Sequence, residues 1–184
     1  MKNISVITVL LLSMIISGCA THTASRPYYS STDNIIKLKN KLPNQEIKVK
    51  LGLFRESNKI GSISCRADGN IDVSPGKTKA KYIEDAMKTE LYNAGMYAVD
   101  GDTEIIGELL SLKTSSVSQA YWEIEMFISS NKSKGYAVKT RFEFQTSWMA
   151  GIACKNLVNA YGPAVQQLIS DIVAHPDFKA LAGQ

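Results

Sequence analysis

Two alternating runs in the second half of the chain define each other. In YWEIEMFISS, Trp122, Ile124, Met126 and Ile128 fall on one side, and Glu123 and Glu125 on the other. In GYAVKTRFEFQTSW, Tyr136, Val138, Thr140, Phe142, Phe144 and Trp148 share one side, with Lys139, Arg141 and Glu143 opposite. Alternation with period two marks a strand with one buried and one wet face. NKSKG separates the runs and supplies the turn of a hairpin. With that turn centred near Lys132, Glu125 faces Lys139 and Glu123 faces Arg141. Opposite charges across strands contribute about 0.2–1 kcal/mol per pair. The apolar and ionic patterns select one register, and the charged face belongs in water.

The rest of the chain alternates strand and helix signals. EIKVKLGLF alternates Ile47, Val49, Leu51 and Leu53 with polar residues or glycine and predicts a strand. KIGSISC, with Ile63 and Cys65 on one face, is expected to pair back on it. TKAKYIEDAMKTELYNAG carries Ala80, Ile83, Met87, Leu91 and Ala94 at spacings of three and four, an amphipathic helix with Thr78 as N-cap and Gly95 just past its end. Ile105 to Leu112 slips phase, which calls either for a bulge, with Gly107 suited to it, or for a strand buried on both faces. Val165, Leu168, Ile169, Ile172 and Val173 form a second helical stripe. Pro163 leaves two readings there: a kinked helix from about Ala153, or a helix ending at Tyr161 and a new one starting at Pro163. Pro176 ends it, and Phe178 and Leu181 are expected to pin the tail.

These elements predict a two-layer α+β domain over residues 45–184, with two amphipathic helices on one face of a mostly antiparallel sheet. The segment IEDAMKTELYNAGMYAV before a strand meander, with the long closing helix, resembles the YajG-type family of outer-membrane lipoproteins. More loosely, the order is similar to the N-terminal domain of TolB. The resemblance spans roughly residues 46–182. It implies a small envelope domain that serves larger assemblies.

The N-terminus reads as an address. After Lys2, Ile4 to Ile16 is apolar apart from Ser5, Thr8 and Ser13. That is about thirteen residues, against the roughly twenty of a membrane-spanning helix, and it fits a secretory signal, here residues 1–18. Ile16-Ser17-Gly18-Cys19 resembles the lipobox of bacterial lipoproteins. The resemblance implies cleavage before Cys19, a diacylglycerol on its sulfur and acylation of the new amine. Several acyl chains, at about 0.8 kcal/mol per buried CH₂, make a stable membrane anchor. Ala20 stands where an aspartate commonly retains such proteins at the inner membrane, which favours the outer membrane facing the periplasm. Residues 19–44 are polar and read as a flexible tether, with a short helical piece at Asn34 to Lys41. Tyr28-Tyr29 interrupts it, to touch the membrane interface or to dock on the domain.

Of three cysteines, Cys19 is taken by lipid. In the oxidising periplasm Cys65 and Cys154 are expected to pair, the competing reading being two separate buried thiols. The formal net charge of +4 is dispersed, without the basic stripe that nucleic acid needs. Lys77, Lys79 and Lys81 crowd the positive end of a helix, where cations are mildly unfavourable. They are the candidate partner-binding residues for an acidic surface; a solvated, tolerated face is the alternative.

No nucleophile turn, phosphate loop or zinc motif occurs in the chain, so no cofactor is expected. His22 lies in the tether, and His175 suits a helix C-terminus. Glu123 and Glu125 fit an ionic ladder better than a catalytic pair. Trp122 and Trp148 are assigned to the core, with a carbohydrate platform as the alternative. The expected function is a non-enzymatic outer-membrane lipoprotein that docks a protein partner in an envelope assembly. The alternative is a binder of a small ligand, lipid or peptidoglycan.

Overall fold

The hairpin read from the sequence lies inside the main sheet. In the computed structural model, which describes residues 22–23, 27–44, 46–66 and 69–184, Tyr121–Ser130 pairs antiparallel with Ser133–Glu143. Glu123 stands opposite Arg141 and Glu125 opposite Lys139, the register both patterns required. Numbered in chain order, the strands are β1 (His22–Thr23), β2 (Val49–Glu56), β3 (Ile63–Ser64), β4 (Asn70–Asp72), β5 (Thr103–Ser115), β6 (Tyr121–Ser130) and β7 (Ser133–Glu143). The helices are α1 (Thr32–Lys41), α2 (Lys79–Asn93), α3 (Ala150–Ala174) and α4 (Phe178–Leu181).

The main sheet has the order β2-β5-β6-β7. β5, β6 and β7 are antiparallel neighbours; β2 joins parallel to β5 across α2. α2 covers β2 and β5, and α3 covers β6 and β7. The inward residues Ile105, Leu109, Trp122, Ile124, Met126 and Ile128 meet Ile83, Met87, Leu168 and Ile172 in one core. This is the expected α+β sandwich with a mostly antiparallel sheet. Thr78 caps α2, its hydroxyl accepting from the Lys81 amide, and Gly95 closes that helix at φ +78°. The tail is pinned as expected by buried Phe178 and Leu181.

Several expectations are corrected. β3 does not pair back on β2; it joins β4 and β1 in a separate three-stranded sheet, order β1-β4-β3. The edge that β3 was expected to fill is met at two points by other groups: Val49 bridges Tyr97, and the Phe54 amide donates to Glu84 Oε2. The irregularity in β5 falls between Leu109 and Ser111, so Leu110 is the extra residue and Leu112 again faces inward opposite Ile124. Gly107 is needed for space instead: a Cβ there would overlap Met126 Cε and sit 3.0 Å from the Phe54 ring. Of the two readings at Pro163 the single helix holds and the break at Tyr161 does not: α3 runs unbroken from Ala150 to Ala174. An interior proline costs about 3 kcal/mol. Here Leu157, Tyr161, Val165 and Leu168 bury one continuous face on both sides of it, and that burial outweighs the penalty.

The tether is also corrected where it is described. From Pro27 the chain is folded onto the domain, with α1 packed against α3 and α2. Glu90 on α2 is fully buried and holds this segment. Its Oε1 accepts from Tyr28 Oη at 2.6 Å, the Ser31 amide at 2.8 Å and Asn34 Nδ2 at 3.2 Å. Asn34 Nδ2 also donates to the Gln166 carbonyl of α3 at 2.9 Å, so α1 is tied to both covering helices.

Candidate functional site

Cys65 follows β3, Cys154 lies in the first turns of α3, and the two are joined by a disulfide with Cα atoms 5.8 Å apart. The bond fastens the small sheet to the helix that covers the main one. Arg66, the next residue, sits at φ +49° and aims its guanidinium across two loops. Nη2 donates to the Ser116 carbonyl at 2.6 Å and the Ser147 carbonyl at 2.9 Å, Nη1 to the Trp148 carbonyl at 3.1 Å, and Nε to Ser116 Oγ at 3.2 Å. One side chain thus fixes both the β5–β6 loop and the loop between β7 and α3.

What the clamp holds out is apolar. Trp148 is 102% exposed, Met149 66% and Val117 58%. With Arg66, Ser118, Thr146 and Ser147, Val117 and Trp148 line an open groove of about 480 Å³. Trp148 was assigned to the buried face of the second hairpin strand. That is corrected: β7 ends at Glu143, and the following residues leave the sheet to start α3. Trp122 is where it was expected, in the core, its Nε1 donating to the Leu157 carbonyl at 2.9 Å.

The sheet face away from the helices is charged. Glu123 pairs with Lys139 at 3.2 Å and approaches Lys113 at 4.0 Å, and Arg141 stacks 3.7 Å over the Tyr121 ring while pairing with Glu143. The predicted register holds but the predicted pairs do not form: Glu123 reaches diagonally to Lys139 instead of across to Arg141, and Arg141 pairs along its own strand with Glu143. At the far edge β7 has no neighbouring strand among the described residues. Leu53 and Ile106 are exposed apolar side chains near the opposite edge.

The lysine cluster is less available than its sequence suggested. Lys77 pairs with Asp85 at 2.7 Å, and Lys81 with Glu84 at 2.5 Å and Asp85 at 3.0 Å. The Lys79 amide donates to Glu56 Oε1 at the start of α2. Hydrogen bonds to Glu84 and Asp85 raise the Lys81 ammonium above its ordinary pKa. Partial burial alone would raise Asp85, but hydrogen bonds from Lys77 and Lys81 outweigh it and hold the carboxyl below the ordinary range. The candidate partner-binding residues Lys77 and Lys81 therefore already have acidic partners within α2.

Between α2, α3 and the N-terminal segment lies a cavity of about 190 Å³ lined by Tyr28, Val73, Tyr82, Tyr161 and Pro163, among others. Burial raises all three tyrosine hydroxyls above their ordinary pKa, so they stay protonated. The Tyr161 hydroxyl has no hydrogen-bond partner among the described residues. The His175 backbone caps α3, while its imidazole, expected to meet the helix C-terminus, stacks 3.8 Å from the Tyr136 ring and accepts the Asp177 amide on Nδ1. Among the described residues, no group of three or more His, Cys, Asp or Glu is placed to hold a metal, and no helix is long and apolar enough to cross a membrane. Cys19 and the signal segment lie outside the described residues.

No family model and no curated protein matches the chain. Solved structures do. A crystal structure of a Xanthomonas campestris protein assigned to the family DUF330 superposes with a TM-score of 0.54 at 11% identity, covering 90% of this chain and 97% of that one. An uncharacterized protein superposes with a TM-score of 0.42 at 10% identity, over 83% of this chain and 99% of that one. The first likeness shows a shared fold; the second carries no argument.

Proposed function

We propose that this protein is a non-enzymatic lipoprotein of the outer membrane, anchored through acyl chains on Cys19, that docks a protein partner of a cell-envelope assembly on the periplasmic side. The lipobox-like Ile16-Ser17-Gly18-Cys19 and the Ala20 that follows support the address. The resemblance to YajG-type lipoproteins and to the N-terminal domain of TolB points the same way. The observation that carries the docking role is the main sheet itself. Its inner face is covered by α2 and α3 and its β2 edge is bonded at Val49 and Phe54, while among the described residues nothing covers its outer face or the eleven-residue β7 edge. An open edge offers main-chain donors and acceptors to an added strand or loop. Charged side chains along β7, among them Lys134, Lys139 and Arg141, discourage indiscriminate pairing.

The test is photocrosslinking in cells from a reactive residue placed at Ala137, which is exposed on β7. A single stoichiometric envelope protein, captured there and not from Tyr92 on α2, is the expected result. No adduct from Ala137, with one captured from Tyr92, would move the docking site to the helices and overturn the reading.

The tyrosine-lined cavity favours a second reading, binding of a small ligand, because an unpartnered buried hydroxyl wants a polar group. At about 190 Å³ it falls below the roughly 300–1,000 Å³ of ordinary small-molecule sites, which leaves docking as the better account.

A further inference from the structure

The ledge of Val117, Trp148 and Met149 has no partner within the described fold, yet it is held rigidly. Arg66 bonds the Ser116, Ser147 and Trp148 carbonyls, and the disulfide anchors the segment that carries Arg66. A loop that merely exposed a tryptophan would not need so many constraints. What the ledge faces follows from the path of the chain. His22 pairs with Ile71 in parallel, and Ile71 pairs with Ile63, so the three stand in one row across the small sheet. Strands lie about 4.8 Å apart, which puts His22 about 10 Å from Ile63. Running backwards, β4 leads to Gly69, whose carbonyl accepts the Cys65 amide. A strand parallel to β4 is therefore approached from the end where Cys65 and Arg66 stand. Three peptide units separate Cys19 from His22, a reach of at most about 11 Å.

We infer that the Val117–Trp148–Met149 ledge rests in the interfacial layer of a phospholipid bilayer, so that the domain lies on the membrane that its lipid enters. The inference rests on acylation of Cys19. Acyl chains attached so close to β1 keep that end of the domain near the headgroups, and the ledge belongs to the same end. Its composition fits. Tryptophan, apolar at its body and polar at its N–H, is enriched at membrane interfaces, and a surface-lying apolar face sinks about 5–10 Å into the headgroup boundary. Segments 109–122 and 144–170, which carry the ledge, contain Lys113 and Lys155 and no carboxylate. Glu143, which flanks the second segment, is paired with Arg141, so little repulsion meets an anionic lipid surface there. This orientation leaves the β7 edge free for a protein partner.

The experiment uses the full mature protein, purified from membranes and reconstituted into phosphatidylethanolamine–phosphatidylglycerol vesicles with brominated acyl chains. Trp122 is fully buried, so it gives the background, measured in the Trp148→Phe variant. Quenching of most of the emission that this variant lacks, together with a shift of that emission to shorter wavelength, is expected. An intact mass on the same sample reports the lipid on Cys19. Acylated protein whose Trp148 emission stays unquenched overturns the membrane-seated ledge and leaves the lipoprotein reading standing. A mass without acyl chains removes the anchor, and the inference falls with it.

Discussion

Replacing Glu90 with alanine should release the N-terminal segment from the domain at a large cost in stability. One buried oxygen accepts from Tyr28, Ser31 and Asn34. A typical hydrogen bond contributes about 1 kcal/mol net, and a buried donor left without an acceptor costs about 1–3 kcal/mol. Asn34 keeps the Gln166 carbonyl, so two donors, the Tyr28 hydroxyl and the Ser31 amide, lose the acceptor the structure gives them. The expected loss is about 3–5 kcal/mol. Glu90→Gln keeps an acceptor oxygen for all three donors, and its amide nitrogen replaces Oε2, which bonds nothing among the described residues. That nitrogen brings donors with no acceptor beside it, so the glutamine should cost about 1–3 kcal/mol, less than the alanine. Urea denaturation of wild type and both variants gives the energies, and hydrogen exchange read by mass spectrometry locates them. In the alanine variant, exchange should accelerate across residues 28–42 and stay slow in β6 and β7. An alanine variant that loses less than about 1 kcal/mol, with α1 still protected, would refute the assignment of Glu90 as the clasp.

Four further outcomes follow from the packing. Paired Cys65→Ser and Cys154→Ser should cost about 4–5 kcal/mol by the chain-entropy argument for a loop of 89 residues, read as a lower urea midpoint. Gly107→Ala should cost about 1–3 kcal/mol, since Met126 and the Phe54 ring must move to admit a Cβ, and thermal unfolding measures it. Asp85→Asn should cost no more than about 1 kcal/mol, because its lysine pairs are half-exposed. Its folded-state pKa is lowered, so the stabilisation is present above the ordinary carboxylate value and is lost as pH falls through the lowered one. The difference from wild type should therefore narrow below about pH 4, seen in denaturation curves across pH.

The hairpin was legible because two independent signals, the apolar alternation and the charge pairs, admit one register. α2 was legible because its stripe, its N-cap and its closing glycine agree. The small sheet was not, since strands of two or three residues leave no period to read. Glu90 left a trace. It stands three residues after Met87 and four before Ala94, inside the apolar stripe, and a carboxylate in that position calls for donors from elsewhere. Asn34 breaks the buried side of α1 in the same way. Neither residue names its partner, because the pairing spans 56 residues of chain. The lysine cluster had a legible answer of its own: Glu84 and Asp85 sit three and four residues beyond Lys81, within reach on one helix face, which fits the solvated, tolerated reading. Trp148 continued the alternation of β7 past its end; Gln145, Thr146 and Ser147 before it were the sign that the strand had stopped.

The most direct measurement is the intact mass of the protein purified from its native membrane, with the membrane fraction recorded. The account predicts a chain beginning at Cys19, heavier by a diacylglyceryl group and an amide-linked acyl chain, and recovered with the outer membrane. An unmodified mass, or a chain that still carries residues 1–18, would contradict it.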